Sequence, residues 1–213
     1  MKLRKTNYLI LLCILTSVLL WLFADEQTFD LLAFNTENLL KGRIWTLITS
    51  LFIHSDPAHL IGNMIFFYIF GNTIEKELSH KWVTIPFFIG GVTTFLLSTQ
   101  FYDPSTYLVG ASAAIFTLTA IVMLLKPLKF SFYFLMPLGL VAIIYFFYNL
   151  IAISLGSQGN ISYIGHIIGF LTGIPFGVAS NKEWHKNLLI TTALLGIYLF
   201  TIWFLLPFIL NLL

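Results

Sequence analysis

The sequence predicts an all-α integral membrane protein with seven transmembrane helices in a single polytopic domain over residues 1–213. Its composition is 58% hydrophobic and only 9% charged, whereas a soluble domain carries about 25% charged residues. Seven apolar segments approach the ~20 residues that a membrane helix needs. No Pro-, Gly- or Ser-rich linker separates domains, and the single cysteine excludes an internal disulfide bond.

The first apolar segment follows a basic N-terminus, as the core of a signal peptide would. Its apolar run is long, however, and no A-x-A cleavage site follows it, so we predict a retained anchor. The seven predicted spans are residues 7–24, 58–76, 82–101, 110–125, 130–154, 162–180 and 187–212.

The longest connection joins the first two spans. It contains the segment IWTLITSLFI at residues 44–53, which is too short to cross a membrane and too apolar to lie free in water. We expect this segment to lie in the outer interface or to fold back against the helix bundle.

Basic residues set the orientation of the spans. With a cytoplasmic N-terminus, nine of the eleven Lys and Arg residues are cytoplasmic, and only Lys41 and Arg43 lie outside. Positively charged residues favour the cytoplasmic side. We therefore predict a multi-pass protein of the cell membrane with its C-terminus outside, and we interpret the juxtamembrane lysines as orientation signals rather than as a lipid or nucleic-acid site.

Four polar side chains lie near the outer ends of three spans. His59 and Asn63 share one face of the second span, Ser112 is near the start of the fourth, and His166 lies a few residues into the sixth. Polar groups within spans usually face the bundle interior or a wet cavity. We therefore expect the four side chains to converge on one outward-opening pocket.

The sixth span carries a glycine at every fourth position from 165 to 177, which makes one smooth helix face. The small residues at 110–114 of the fourth span are the predicted partner surface. Close approach of the two helices would let Ser112 reach the imidazole of His166, which is what a pair of nucleophile and base requires.

These residues resemble the rhomboid family of intramembrane serine proteases. The order, spacing and topology of the matching motifs agree over about residues 42–180, and the span at 187–212 resembles the extra C-terminal helix of six-plus-one members. The motifs are Phe52-Ile53-His54, His59-x-x-x-Asn63, Gly110-Ala111-Ser112 and Gly165-His166-x-x-Gly169-x-x-x-Gly173.

The resemblance implies an endopeptidase that cleaves transmembrane segments of other proteins in the lipid bilayer, without a cofactor or a metal. It implies a catalytic dyad of Ser112 and His166. It also implies an oxyanion hole formed by the side chains of His59 and Asn63 with the backbone N–H of Ser112. Two positions depart from the family pattern: Ala113 replaces the second glycine of G-x-S-G, and Trp45-Thr46 replaces Trp-Arg.

Simpler roles are open to the same residues. A serine in a membrane helix often bonds to the carbonyl one turn before it, a histidine can serve packing or proton relay, and His59 and Asn63 could cap the helix. His54 is expected to be structural.

The sequence has no H-E-x-x-H motif, no aspartate within a span and no repeated halves, which disfavours zinc protease, aspartyl protease and transporter mechanisms.

The main alternative is a rhomboid-fold protein that binds membrane clients without cleaving them. Labelling of Ser112 by a fluorophosphonate would distinguish the two.

Two further expectations concern the site. No acid completes a triad, although Asp56 and Asp103 lie at a suitable depth, so His166 is held by packing against Phe116 and the glycine face. The fifth span and the loop at 155–160 form a lateral gate.

Overall fold

The computed structural model describes residues 4–156 and 162–210, and nearly all of this part is helical. The N-terminal helix α1 spans Lys5–Phe23 and is followed by three short helices, α2 (Glu26–Leu32), α3 (Thr36–Leu40) and α4 (Thr46–Thr49), and by a 3-10 turn at Ser50–Phe52. The longer helices that follow are α5 (Pro57–Glu77), α6 (Lys81–Ser98), α7 (Ser112–Leu125), α8 (Leu138–Ser154), α9 (Tyr163–Ser180) and α10 (Trp184–Phe200).

Several of these helices have the dimensions of membrane spans. In the described residues, four helical stretches are long and apolar enough to cross a bilayer, and α7 and α8 are shorter but equally apolar. The four are Lys5–Phe23, Lys81–Ser98, Tyr163–Ser180 and Trp184–Phe208. The prediction of a multi-pass, mainly helical membrane protein is therefore confirmed.

Helix α7 lies at the centre of the bundle. Every residue from Ala113 to Leu125 is buried, so this helix is surrounded by protein on all sides. Its closest partner is α9, whose glycines lie directly on its backbone. A Cβ atom at Gly169 would lie 2.2 Å from the carbonyl oxygen of Ala113, and one at Gly173 would lie 2.3 Å from that of Thr117. The predicted close packing of the glycine face of α9 on α7 is thus present, but of its four glycines Gly169 alone meets the small residues at 110–114. Gly173 and Gly177 lie on later turns of α7, and Gly165 faces Ser162 and Thr94.

The apolar segment at 44–53 folds back against the bundle, which is one of the two positions predicted for it. Leu51 and Phe52 are buried. A Cβ at Gly91 of α6 would lie only 2.4 Å from Leu51 Cδ2, which shows how closely this segment packs on that helix. The bundle therefore buries the end of this segment, while Ile44, Trp45 and Ile48 at its start remain exposed.

The loop between α1 and α5 is held together by a buried amide and an ion pair. Arg43 Nη1 donates to Asp30 Oδ2 at 2.6 Å and to Asn38 Oδ1 at 2.9 Å, and the Tyr107 hydroxyl donates to Asp30 Oδ1 at 2.8 Å. The hydrogen bond from Arg43, followed by that from Tyr107, lowers the pKa of Asp30 to about 2. Arg43 thus supplies a guanidinium to this loop although Thr46 stands where many relatives of the resembled family have arginine.

We expect Asp30→Asn to destabilise the detergent-solubilised protein at neutral pH by on the order of 1 kcal/mol, since the pair is partly exposed and screened. The folded pKa of Asp30 lies below its ordinary value of 3.8. The stabilisation is therefore complete above about pH 4 and is lost as the pH falls through the folded pKa. Thermal midpoints of wild type and variant should converge on acidification, and a constant difference down to about pH 2 would contradict this.

Two predicted spans differ from the observed helices. Residues 130–137 were expected in the fifth span but form a hairpin, in which β1 (Phe130–Ser131) pairs antiparallel with β2 (Met136–Pro137). The hairpin turns at Leu135, whose φ is 55°, and Pro137 disfavours helix in the residue before it. The all-α prediction is wrong at this point, and α8 begins at Leu138.

The predicted span at 187–212 begins earlier, at Trp184, and is not a uniform α-helix. A π-helical turn at Thr201–Leu205 separates α10 from α11 (Leu206–Leu210). Pro207 has no N–H to donate to the carbonyl one turn before it, which accounts for the break in the α-helical pattern. Residues 211–212 of the prediction lie outside the described part of the chain.

Candidate active site

Ser112 begins α7, and the two residues before it are held by hydrogen bonds to the loop between α1 and α5. Gly110 N donates to Ser50 O at 2.8 Å, and Ala111 N donates to His54 Nε2 at 3.4 Å. Gly110 has a φ of +105°, a conformation that side chains rarely adopt. The chain therefore enters α7 through a tight turn that this loop holds in place, and Ser112 follows the turn.

His54 is a structural residue in this arrangement. Its Nε2 accepts the Ala111 N–H, so its Nδ1 carries the proton and donates to Ser17 Oγ at 3.0 Å. Burial is the main cause that lowers the pKa of His54, to about 3. The neutral ring thus links α1 to the backbone that precedes Ser112.

His59 and Asn63 of α5 both face the same turn. A Cβ atom at Gly110 would lie 2.7 Å from His59 Cε1, 2.8 Å from His59 Nε2 and 3.5 Å from Asn63 Nδ2. Glycine is thus required here for space as well as for conformation. Three of the four predicted site residues therefore surround Gly110. Ser112 follows it by two residues in sequence, and His59 and Asn63 lie against it in space.

The Asn63 side chain carries an unused donor. The residue is only 8% exposed, and its Nδ2 is buried and has no hydrogen-bond partner among the described residues. An unsatisfied buried donor costs about 1–3 kcal/mol. Such a group is stabilised by any acceptor that enters beside Gly110.

His59 belongs to a hydrogen-bonded chain at the N-terminus of α5. Asp56 caps the helix through Oδ1, which accepts from His59 N at 2.9 Å, while Oδ2 accepts from the Ser55 hydroxyl at 2.8 Å. These bonds, chiefly the one from His59 N, lower the pKa of Asp56. The ionised carboxylate only accepts, so Ser55 gives its proton to Asp56 and its oxygen accepts from His59 Nδ1–H, 3.1 Å away.

This proton order affects what His59 can donate. A neutral imidazole has one N–H, so with Nδ1 protonated the Nε2 atom that faces Gly110 carries a lone pair. His59 donates from Nε2 only as an imidazolium, or when Ser55 turns its proton away from Asp56. The Asn63 amide, in contrast, is a donor in either state.

His166 lies one turn before Gly169 in α9, and its ring lies flat on Phe116 of α7. The ring centroids are 4.4 Å apart and the planes differ by 7°, so the predicted packing on Phe116 is present. The packing of α9 on α7 thus brings His166 beside the first turn of α7, which carries Ser112. Among the described residues no hydrogen bond joins the Ser112 hydroxyl to His166, and catalytic bonds of this kind often form only when substrate is bound.

The two acids that lie at a suitable depth for a triad, Asp56 and Asp103, form hydrogen bonds with other residues. Asp103 Oδ1 accepts from the backbone N–H and the hydroxyl of Ser105, at 3.0 and 2.7 Å, and Asp56 is used by α5 and Ser55. The polar partner of His166 is instead Asn149 of α8, whose Oδ1 lies 2.8 Å from His166 Nδ1. Sequence reasoning missed Asn149, although an amide within the apolar run FFYNLIAIS is itself a signal.

Metal and cofactor sites were not expected. The described residues contain no group of three or more His, Cys, Asp or Glu side chains that could hold a metal ion. The polar groups around Gly110 are one amide, one imidazole and one hydroxyl, a set suited to hydrogen bonding and proton transfer.

The chain is similar to known proteins over most of its length. A family model described as the Rhomboid domain matches residues 41–183. Rhomboid-related protein 1 of Caenorhabditis elegans is 30% identical over 149 residues, which cover 65% of this chain and 40% of that protein. Rhomboid-like protease 1 of Toxoplasma gondii is 27% identical, over 67% of this chain and 49% of that protein.

A bacterial relative is more distant. Rhomboid protease GlpG of Salmonella newport (strain SL254) is 24% identical over 119 residues, which cover 56% of this chain and 42% of that protein. The matched segment thus spans less than half the length of each of these three relatives.

Proposed function

Since the chain belongs to the rhomboid family, as its motifs predicted, we propose that it is an intramembrane serine endopeptidase that cleaves transmembrane segments of other membrane proteins. The observation that carries this proposal is the arrangement around Gly110. There the ring of His59 and an unused buried amide donor of Asn63 face the backbone that leads into Ser112. This is the arrangement that a tetrahedral oxyanion needs.

In the proposed mechanism Ser112 Oγ attacks the scissile carbonyl, and His166 Nε2 takes the serine proton. The oxyanion is stabilised by Asn63 Nδ2, by the backbone N–H of Ser112 and by His59 when its Nε2 is protonated. The N–H groups of the first turn of a helix have no partner within the helix, so the start of α7 contributes donors. His166 then protonates the leaving amine, and water hydrolyses the acyl-enzyme by the same path.

The topology is part of the proposal. We infer seven spans in the cell membrane, with α1 and α5–α10 as their helices, a cytoplasmic N-terminus and an outer C-terminus. The starts of α5, α7 and α9 then lie at the outer side, so the site opens outward. We place the lateral gate for substrates at α8, which adjoins α9; most of the predicted gate loop at 155–160 lies outside the described residues.

A second candidate function is binding of membrane clients without cleavage. The retention of Ser112 and His166 supports the protease. The deciding experiment incubates the purified protein with a generic transmembrane reporter and, separately, with a fluorophosphonate. Cleavage together with covalent labelling at Ser112 supports the protease, whereas client binding without either supports the alternative.

We expect Asn63→Ala to lower kcat by ~10²–10³, the cost of one oxyanion donor, while a reactive fluorophosphonate still labels Ser112. His59→Ala should cost less, because His59 Nδ1 holds the ring proton in the resting state. Asn63→Leu should reduce kcat without lowering the thermal midpoint, since it removes an unsatisfied buried group. Wild-type turnover in both alanine variants would contradict the assignment of these donors.

A further inference from the structure

Asn149 is the polar residue of α8 that lies nearest the proposed site. It is 1% exposed and lies in the second half of a helix that is otherwise mostly apolar. A buried amide in such surroundings is costly unless its polar atoms are bonded. Both ends are bonded here: Oδ1 lies 2.8 Å from His166 Nδ1, and Nδ2 donates to Tyr145 O at 2.7 Å.

These two bonds determine which way the amide points. Tyr145 O is a carbonyl and only accepts, so the atom facing it is the amide nitrogen. The amide oxygen therefore faces His166, and it also only accepts. His166 Nδ1 is consequently the protonated nitrogen, and in the neutral ring Nε2 carries the lone pair.

That tautomer is the one a general base requires. A histidine that takes a proton from serine must present a bare Nε2, and the hydrogen bond made by the other nitrogen sets which one is bare. Phe116 restrains the plane of the ring by stacking but cannot distinguish the two nitrogens. A directional acceptor is needed for that, and Asn149 is the acceptor on His166 in the described chain.

We propose, on the basis of the protease function above, that Asn149 is a positioning residue whose Oδ1 fixes the tautomer and orientation of His166. It takes the place that a carboxylate has in a serine triad and an amide has in Cys-His-Asn proteases. A neutral amide orients the ring and accepts from the imidazolium without adding a buried charge, which would be expensive within the membrane. Asn149 touches no reacting atom and acts through His166.

The test compares Asn149→Leu with Asn72→Leu as a matched control. Asn72 is also a buried amide whose Nδ2 donates to the carbonyl one turn before it, here Tyr68 O at 2.9 Å, but it lies far along α5 from Gly110. We expect Asn149→Leu to reduce kcat roughly 10- to 100-fold, less than the ~10⁴ lost when a charged triad acid is changed to its amide. KM should stay unchanged, and Asn149→Asp should retain more activity than the leucine variant.

A readout independent of catalysis uses the protein labelled with ¹⁵N-histidine, with His166 assigned by its absence from the spectrum of His166→Ala. We expect the Nδ1–H tautomer in wild type and in Asn72→Leu, and a mixture of tautomers in Asn149→Leu. The Nδ1–H form persisting in Asn149→Leu, or equal loss of kcat in both leucine variants, would overturn the proposal. Because the spectrum needs no turnover, it decides the positioning role even if Ser112→Ala shows that the protein is not a protease.

Discussion

Ser112→Ala and His166→Ala are each expected to abolish cleavage of a transmembrane reporter while leaving a folded protein. In the proposed mechanism the serine supplies the atom that forms the acyl-enzyme, and the histidine supplies a basic nitrogen from a ring that is stacked on Phe116, one turn after Ser112. Because the pair acts as a unit, the double variant should be no slower than either single variant. Ser112→Ala removes a single oxygen, so its thermal midpoint should change little, whereas His166→Ala also removes the ring stacked on Phe116 and the partner of Asn149 Oδ1 and should lower the midpoint.

Matched controls use the same residue types elsewhere in the chain. Ser180→Ala removes a hydroxyl that bonds only to Gly177 O of its own helix, and His185→Ala removes an exposed ring at the start of α10. Both should cleave at the wild-type rate. Substantial cleavage by Ser112→Ala, after purification free of other proteases, would refute the proposed mechanism.

Gly169→Val is expected to cause the second largest loss, through packing rather than chemistry. Its Cβ would lie 2.2 Å from the carbonyl oxygen of Ala113 and 3.1 Å from its Cα. Backbone atoms of α7 cannot move aside as a flexible side chain can, so α9 must shift away from α7. The shift would break the bond from Thr117 Oγ1 to Gly169 O, 2.8 Å long, and would carry His166 away from Phe116.

We expect Gly169→Val to lose cleavage and to lower the thermal midpoint together, and Gly169→Ala to do so to a smaller extent. Gly196→Ala in α10 is the control, because a Cβ there meets nothing within 4 Å. It should be neutral or stabilising by up to about 1 kcal/mol, as glycine is a poor helix former. A Gly169→Val protein with wild-type stability would show that α7 and α9 are less closely packed than described.

The elements of this fold follow closely from the sequence, because lipid requires each span to be apolar and helical. Helix ends agree with the prediction within a few residues for α1, α5, α6 and α9. The glycine face of α9 could also be predicted, because glycine at every fourth position indicates a helix face on which another backbone packs closely. The family could be inferred because its motifs are local in sequence and their order is fixed.

What could not be predicted depends on the lateral arrangement of the helices. Hydrophobicity does not distinguish a helix that faces lipid from one enclosed by protein, so the complete burial of α7 was not foreseen. The hairpin at 130–137 was not predicted, because its apolar residues have the composition expected at the start of a span. Asn149 was missed because its role depends on which side of α8 faces α9, and the apolar surroundings of the residue give no periodic pattern.

The bond between Asn149 and His166 has a consequence for the order of events in a catalytic cycle. It joins α8 to α9, so any substrate that enters by displacing α8 also withdraws the acceptor from the base. Loading and hydrolysis would then exclude each other in time: while the bundle is open, the imidazole is free to take the wrong tautomer. Membrane helices that contact the opening only briefly would then not be cleaved. Cleavage would be limited to helices that stay bound until the bundle has closed around them.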